Sequence, residues 1–131
     1  MRTRTLFTAA TGLVATAAAL TVLDAGTAAA FQPVSDPDFG ATGVWLNPGE
    51  TAAIANSPIP NLIDAAVPPQ GHVIWLEDDS TIPADENGVF ASDAQIIGEA
   101  ASHPGGTVGL FLLDPSNPYT PGGQVGIVQD W

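Results

Sequence analysis

Apolar residues in this chain fall into short blocks set apart by proline and glycine, and one block carries a full helical signature. It opens at Ser92-Asp93-Ala94-Gln95, where the Ser92 hydroxyl can accept from the Gln95 amide while the Gln95 side chain returns to Ser92, the reciprocal pairing of a capping box. The spacing predicts a helix from Asp93 to about His103, ended by Pro104-Gly105-Gly106, with Ala94, Ile97 and Ala101 on one face. Strands are expected where branched and aromatic residues cluster: His72 to Leu76, Thr107 to Leu113, and Gln124 to Gln129. The second of these is apolar throughout, which points to burial on both faces and a central position in a sheet.

The remaining blocks are less decided. Gly43-Val44-Trp45-Leu46 leads into Asn47-Pro48-Gly49-Glu50, whose Pro-Gly pair suits a type II turn, so a hairpin continuing through Thr51 to Ile54 is the first expectation. A short helix started by Pro48 competes with it, because Ala52 and Ala53 are poor strand residues. Asn61 can cap a helix over Leu62 to Val67, which Pro68-Pro69 would stop. Phe31 to Thr42 has two prolines and no period, and reads as an N-terminal arm. Together the blocks imply an α+β fold: one small globular domain over 43–131, with a mostly β core of about four to six strands and one or two short helices.

The first thirty residues have a different character. Arg2 and Arg4 precede a nearly unbroken run from Leu6 to Leu23, and Thr27-Ala28-Ala29-Ala30 is a small-residue end of the kind signal peptidase cuts. A cleaved secretory leader over 1–30 is therefore expected, with a secreted, extracellular mature chain. That leader holds the only two basic residues. Of the 14 acidic residues one, Asp24, lies within it, which leaves thirteen carboxylates and no Lys or Arg in residues 31–131. Nucleic acid and anionic membrane surfaces, both bound through basic side chains, are excluded as partners by this balance. Self-repulsion favours a soluble monomer, and a basic extracellular protein or a cation fits the charge. With no cysteine, no disulfide supports the core.

Candidate chemistry is limited by the same composition. Glu77, Asp78, Asp79, Asp85 and Glu86 crowd one loop and offer oxygens of the type calcium takes. The EF-hand pattern fails there: with Gly88 at the invariant glycine, Pro83 falls on the first ligand position and Ala94 where the bidentate glutamate belongs. Zinc is disfavoured by ligand count, with His72 and His103 the only imidazoles and no thiol. His103 suits a helix C-terminus, and His72 can simply satisfy a backbone carbonyl. No serine lies in G-x-S-x-G, and thiol, Schiff-base and phosphate-clamp chemistries lack their residues. In Asp114 to Gly123 the prolines recur every third residue, the period of polyproline II, so Asp114, Asn117 and Tyr119 are candidate partner-binding residues on a stiff loop. The expected function is a non-enzymatic, inhibitor-like binding module without a cofactor, calcium excepted. The alternatives are a small extracellular hydrolase using carboxylates and His72, and a calcium-stabilised surface or matrix protein.

Overall fold

Val108 to Leu113 are all buried, and the strand they form is the middle of the protein. The structure, a computed structural model, describes residues 31–131, so the leader expected over residues 1–30 lies outside the described residues. Seven strands and three α-helices occur among them: β1 (Gln32–Asp36), β2 (Ala41–Trp45), α1 (Pro48–Ala55), α2 (Ile59–Ala66), β3 (His72–Trp75), β4 (Ala84–Asp85), β5 (Gly88–Val89), α3 (Asp93–Ser102), β6 (Thr107–Leu113) and β7 (Val125–Asp130). β1, β2, β6, β7 and β3 make one sheet in that order, and β4 and β5 make a separate small hairpin. The α+β class expected from the blocks is the one observed, as a small, cysteine-free single domain.

Neighbours in the main sheet run antiparallel except β3, which joins β7 in parallel through His72↔Val125 to Trp75↔Val128. A parallel pair needs a long crossover, and here the chain between the two strands supplies α3 and β6. α3 packs against α1 and α2 and reaches the sheet at β6 and β7, while α1 also touches β6. Leu46, Ile54, Ile96, Ile97, Val108 and Ile127 are fully enclosed where these elements meet. Burying each such side chain contributes about 1.5–3 kcal/mol, which is how this domain holds together without disulfides.

Several local expectations change in three dimensions. The segment 31–42, expected as an arm, forms the edge hairpin β1–β2, with Pro33 opposite Val44 at the sheet margin where a missing N–H is tolerated. Asn47 starts a helix, not a hairpin turn: its side chain accepts from the Glu50 amide at 2.8 Å and Glu50 returns to the Asn47 amide at 2.9 Å. That capping box outweighs the turn preference of Pro-Gly, since Pro is also well suited to the first helical position. α2 begins at Ile59 instead of Leu62, because the Ser57 hydroxyl accepts from the Ile59 amide and Pro60 is preset for the first turn. On α3 the Ser92–Gln95 box forms as expected, but the buried face is Asp93, Ile96, Ile97 and Ala100. A carboxylate on the buried face of the best-marked helix calls for an explanation.

Candidate functional site

That carboxylate meets a histidine. A short 3-10 turn at Pro69–Gly71 delivers the chain into β3, and His72 is the first residue of the strand. Its Nδ1 lies 3.0 Å from the Pro68 carbonyl oxygen. A carbonyl only accepts, so Nδ1 carries a hydrogen and donates it. The other ring nitrogen, Nε2, therefore faces away from the turn. It lies 3.0 Å from Asp93 Oδ2 and 3.7 Å from Asp64 Oδ1. Asp93 is the first residue of α3, where the helix dipole favours a negative charge. Asp64 projects from α2 and uses its second oxygen, Oδ2, to accept the Asp93 backbone N–H at 3.0 Å. The ligand-type atoms of the three residues lie within 4.8 Å of one another, and among the described residues no other group of His and carboxylate side chains converges in this way.

Burial is graded across the trio, with side-chain exposure of 2% for Asp93, 11% for His72 and 34% for Asp64. Burial, joined by the charge and hydrogen bonding of the neighbouring Asp64, pushes the Asp93 carboxyl above its ordinary value against the downward pull of the His72 hydrogen bond and charge. Burial opposes charge on His72 too. There the Asp93 hydrogen bond and charge, the Pro68 carbonyl and the Asp64 carboxylate outweigh it, so the imidazole pKa is raised. Both shifts have the same sense: the folded pair holds a proton more firmly than the separate side chains would.

The trio lines one side of a cleft of about 900 Å³ between the end of α2, the start of β3, the β4–β5 hairpin and the start of α3. Val67, Val73, Val89 and Phe90 supply its apolar walls, and Phe90 is 57% exposed. Neither serine nor threonine lines it, so it offers no hydroxyl nucleophile beside the imidazole.

The residues singled out from the sequence lie elsewhere. Asp78, Asp79, Asp85 and Glu86 are exposed and Glu77 is half-buried. Asp79 accepts from the Trp131 indole, Asp85 from the Asn87 amide, and the Glu77 amide donates to Gln129. These five carboxylates do not gather into a common set of ligand atoms. The start of their loop is held by Glu99 of α3, which accepts from the Ser80 hydroxyl, from the Thr81 amide and hydroxyl, and from Gln129 Nε2. Asp114 to Gly123 folds into successive turns instead of an extended polyproline helix, closed by bonds such as Gly122 N–H to the Pro115 carbonyl. Within it Asp114 accepts from Ser116, and Asn117 accepts from the Tyr119 amide and donates to the Asp38 carbonyl. Tyr119 stands 69% exposed against the Phe39 ring. His103 stacks flat on Trp131, ring centres 3.9 Å apart.

Asp64 and Asp93 were missed by the sequence reading, because 29 residues separate them and 21 separate Asp93 from His72. One signal was present: in residues 31–131, which lack Lys and Arg, a buried carboxylate not held by a backbone N–H, as Glu50 is by Asn47, has only a histidine or an exogenous cation to neutralise it. No protein-family model, no curated protein and no solved structure matches this chain.

Proposed function

We propose that this protein is an exported, non-enzymatic binding module whose ligand brings positive charge to the cleft at Asp64, His72 and Asp93. The observation that carries this reading is the convergence of two carboxylates and one imidazole nitrogen on a single point at the wall of a cleft. The charge balance supports it, because His72 is the sole internal counter-charge at that wall and the rest of the chain from Phe31 onward has thirteen carboxylates without a Lys or Arg. An acidic protein attracts cations from a distance, and the low-dielectric wall focuses that attraction. Val67, Val89 and Phe90 give the carbon portion of an organic cation an apolar surface, the usual division of labour in a small-molecule site. Both nitrogens of His72 are engaged, one by Pro68 and one by Asp93, which leaves the ring poorly placed as a free general base.

The test is an NMR titration of isotope-labelled protein with spermidine, arginine ethyl ester and zinc chloride at fixed ionic strength. Shifts concentrated on residues 64–74 and 87–96 for at least one cation support the reading. Shifts spread over all exposed carboxylates, the 77–86 loop included, would refute it, because they would reflect general screening.

A carboxylate-based hydrolase is the second reading. It is favoured by one observation, the raised pKa of the buried Asp93 beside a second, partly exposed carboxylate, the kind of separation in environment that divides acid from base. Turnover of any glycoside or ester that disappears in Asp64→Asn would put that reading first.

A further inference from the structure

We propose that Asp64, His72 and Asp93 form a site for one divalent first-row transition-metal ion of the zinc class. This rests on the cation-binding reading above and names its ligand.

The argument begins with hydrogens. The Pro68 carbonyl fixes Nδ1 as the protonated nitrogen, so the neutral ring has its lone pair on Nε2, directed at Asp93 Oδ2 and Asp64 Oδ1. Two carboxylate oxygens and that nitrogen are three acceptors facing one another. A single proton on Nε2 serves the 3.0 Å contact with Asp93 and leaves Asp64 Oδ1, at 3.7 Å, without a bond to it. One metal ion placed among the three satisfies all of them.

Geometry agrees. Bonds of about 2.0–2.2 Å to nitrogen and carboxylate oxygen in a tetrahedral site put ligand atoms roughly 3.3–3.6 Å apart; the two separations from Nε2, 3.0 and 3.7 Å, lie on either side of that range, and all three ligand atoms fall within 4.8 Å of one another. Charge agrees as well, since a divalent ion neutralises two carboxylates on a neutral imidazole in a protein region with no other cation. The supporting contacts are those that orient metal ligands generally: the histidine's other N–H is held by a backbone carbonyl, and a backbone N–H holds the second oxygen of Asp64. Three protein ligands with a cleft on the open side match a site that keeps a position for water or a small ligand.

The donor set selects the ion. Calcium takes six to eight oxygens, and magnesium is held through carboxylates with several waters retained; neither favours an imidazole. One nitrogen with two carboxylate oxygens suits zinc and its neighbours in the series. The acidic loop at 77–86, the place where composition draws attention, lacks this convergence.

The experiment is isothermal calorimetry on chelator-treated protein, titrated with zinc chloride and separately with calcium and magnesium chlorides at constant ionic strength. Asp64→Asn and His72→Gln are the variants, each checked for fold by circular dichroism. The expected result is one equivalent of zinc, bound at least about tenfold more weakly in each variant, and preferred over calcium and magnesium. Asp64 is the partly exposed ligand, so Asp64→Asn keeps the test alive if His72→Gln fails to fold. Absent zinc binding, or equal zinc binding in wild type and Asp64→Asn, overturns the proposal. If spermidine or arginine ethyl ester still shifts residues 64–74 and 87–96 while zinc does not bind, the metal is refuted and the cation-binding reading stands. If no cation reaches the cleft, both fall.

Discussion

Gln129 on β7 ties three parts of the molecule together, and replacing it with leucine tests whether those ties stabilise the fold. Its side chain is 3% exposed. Nε2 donates to the Ile96 carbonyl at 3.0 Å and to Glu99 Oε1 at 2.9 Å, and Oε1 accepts from the Glu77 amide at 3.1 Å. Leucine is close in size and makes none of these bonds. Two neutral hydrogen bonds contribute about 0.5–1.5 kcal/mol each, and the one to the Glu99 carboxylate about 1.5–3 kcal/mol. Part of that sum is offset by the apolar gain of burying leucine, which leaves a net loss of about 3 kcal/mol. At about 4–8 °C for each kcal/mol in a domain of this size, the melting temperature should fall by about 12–24 °C. Differential scanning calorimetry reads the shift, and amide hydrogen exchange at Glu77 reads the local cause, since that N–H loses its acceptor. A fall of under about 4 °C, with Glu77 exchange unchanged, would show that the Gln129 bonds merely replace equally good bonds to water.

Three further outcomes follow from other contacts. Glu99 has a lowered pKa: burial pushes it up, but hydrogen bonds from Ser80, Thr81 and Gln129 outweigh that. Its contribution is therefore present above the ordinary glutamate value near 4.5 and is lost as pH falls through the lower folded value, so the melting-temperature gap between wild type and Glu99→Gln should be largest near neutral pH and close in acid. A gap that widens below pH of about 4 would contradict the sign. Gly43→Ala should prevent stable folding, because a Cβ there would run into the Leu110 carbonyl oxygen and the Phe111 backbone across the β2–β6 ladder; urea unfolding of any soluble product measures the cost, expected to exceed about 3 kcal/mol. Ser92→Ala removes the α3 cap and should cost about 1 kcal/mol by the same urea assay, and an unchanged midpoint would mean the Ser92–Gln95 box is idle.

The separate elements were legible where the signal is local. A capping box needs residues three apart, so Ser92 and Gln95 announced α3 and its start. An apolar run announced β6 as a central strand, because a strand covered on both faces has no polar side to display. Local evidence misled where two local preferences competed. Asn47-Pro48-Gly49-Glu50 suits a turn and a helix start almost equally, and the helix prevailed once Thr51 and Ile54 found a core to enter. Of the α3 face expected from the spacing, Ile97 is buried while Ala94 and Ala101 are half-buried, and Asp93, Ile96 and Ala100 complete the buried stripe, since Ile96 and Ile97 are equally apolar and only packing against α1, α2 and the sheet chooses the face.

Composition also determined what kind of site the protein can have. Residues that lack Lys, Arg and Cys cannot build phosphate clamps, Schiff bases or thiolate centres in any fold. Which carboxylates meet an imidazole was decided by tertiary structure alone: His103 stacks on Trp131, while His72 takes Asp64 and Asp93. Thirteen are candidates, and nothing in the spacing of Asp64, His72 and Asp93 marks them out. They meet because the parallel docking of β3 beside β7 brings the start of that strand to the start of α3, while α2 packs on α3 and delivers Asp64 to the same point. Contacts between distant segments depend on how elements dock, and side chains far from one another in the chain leave no local trace of that docking.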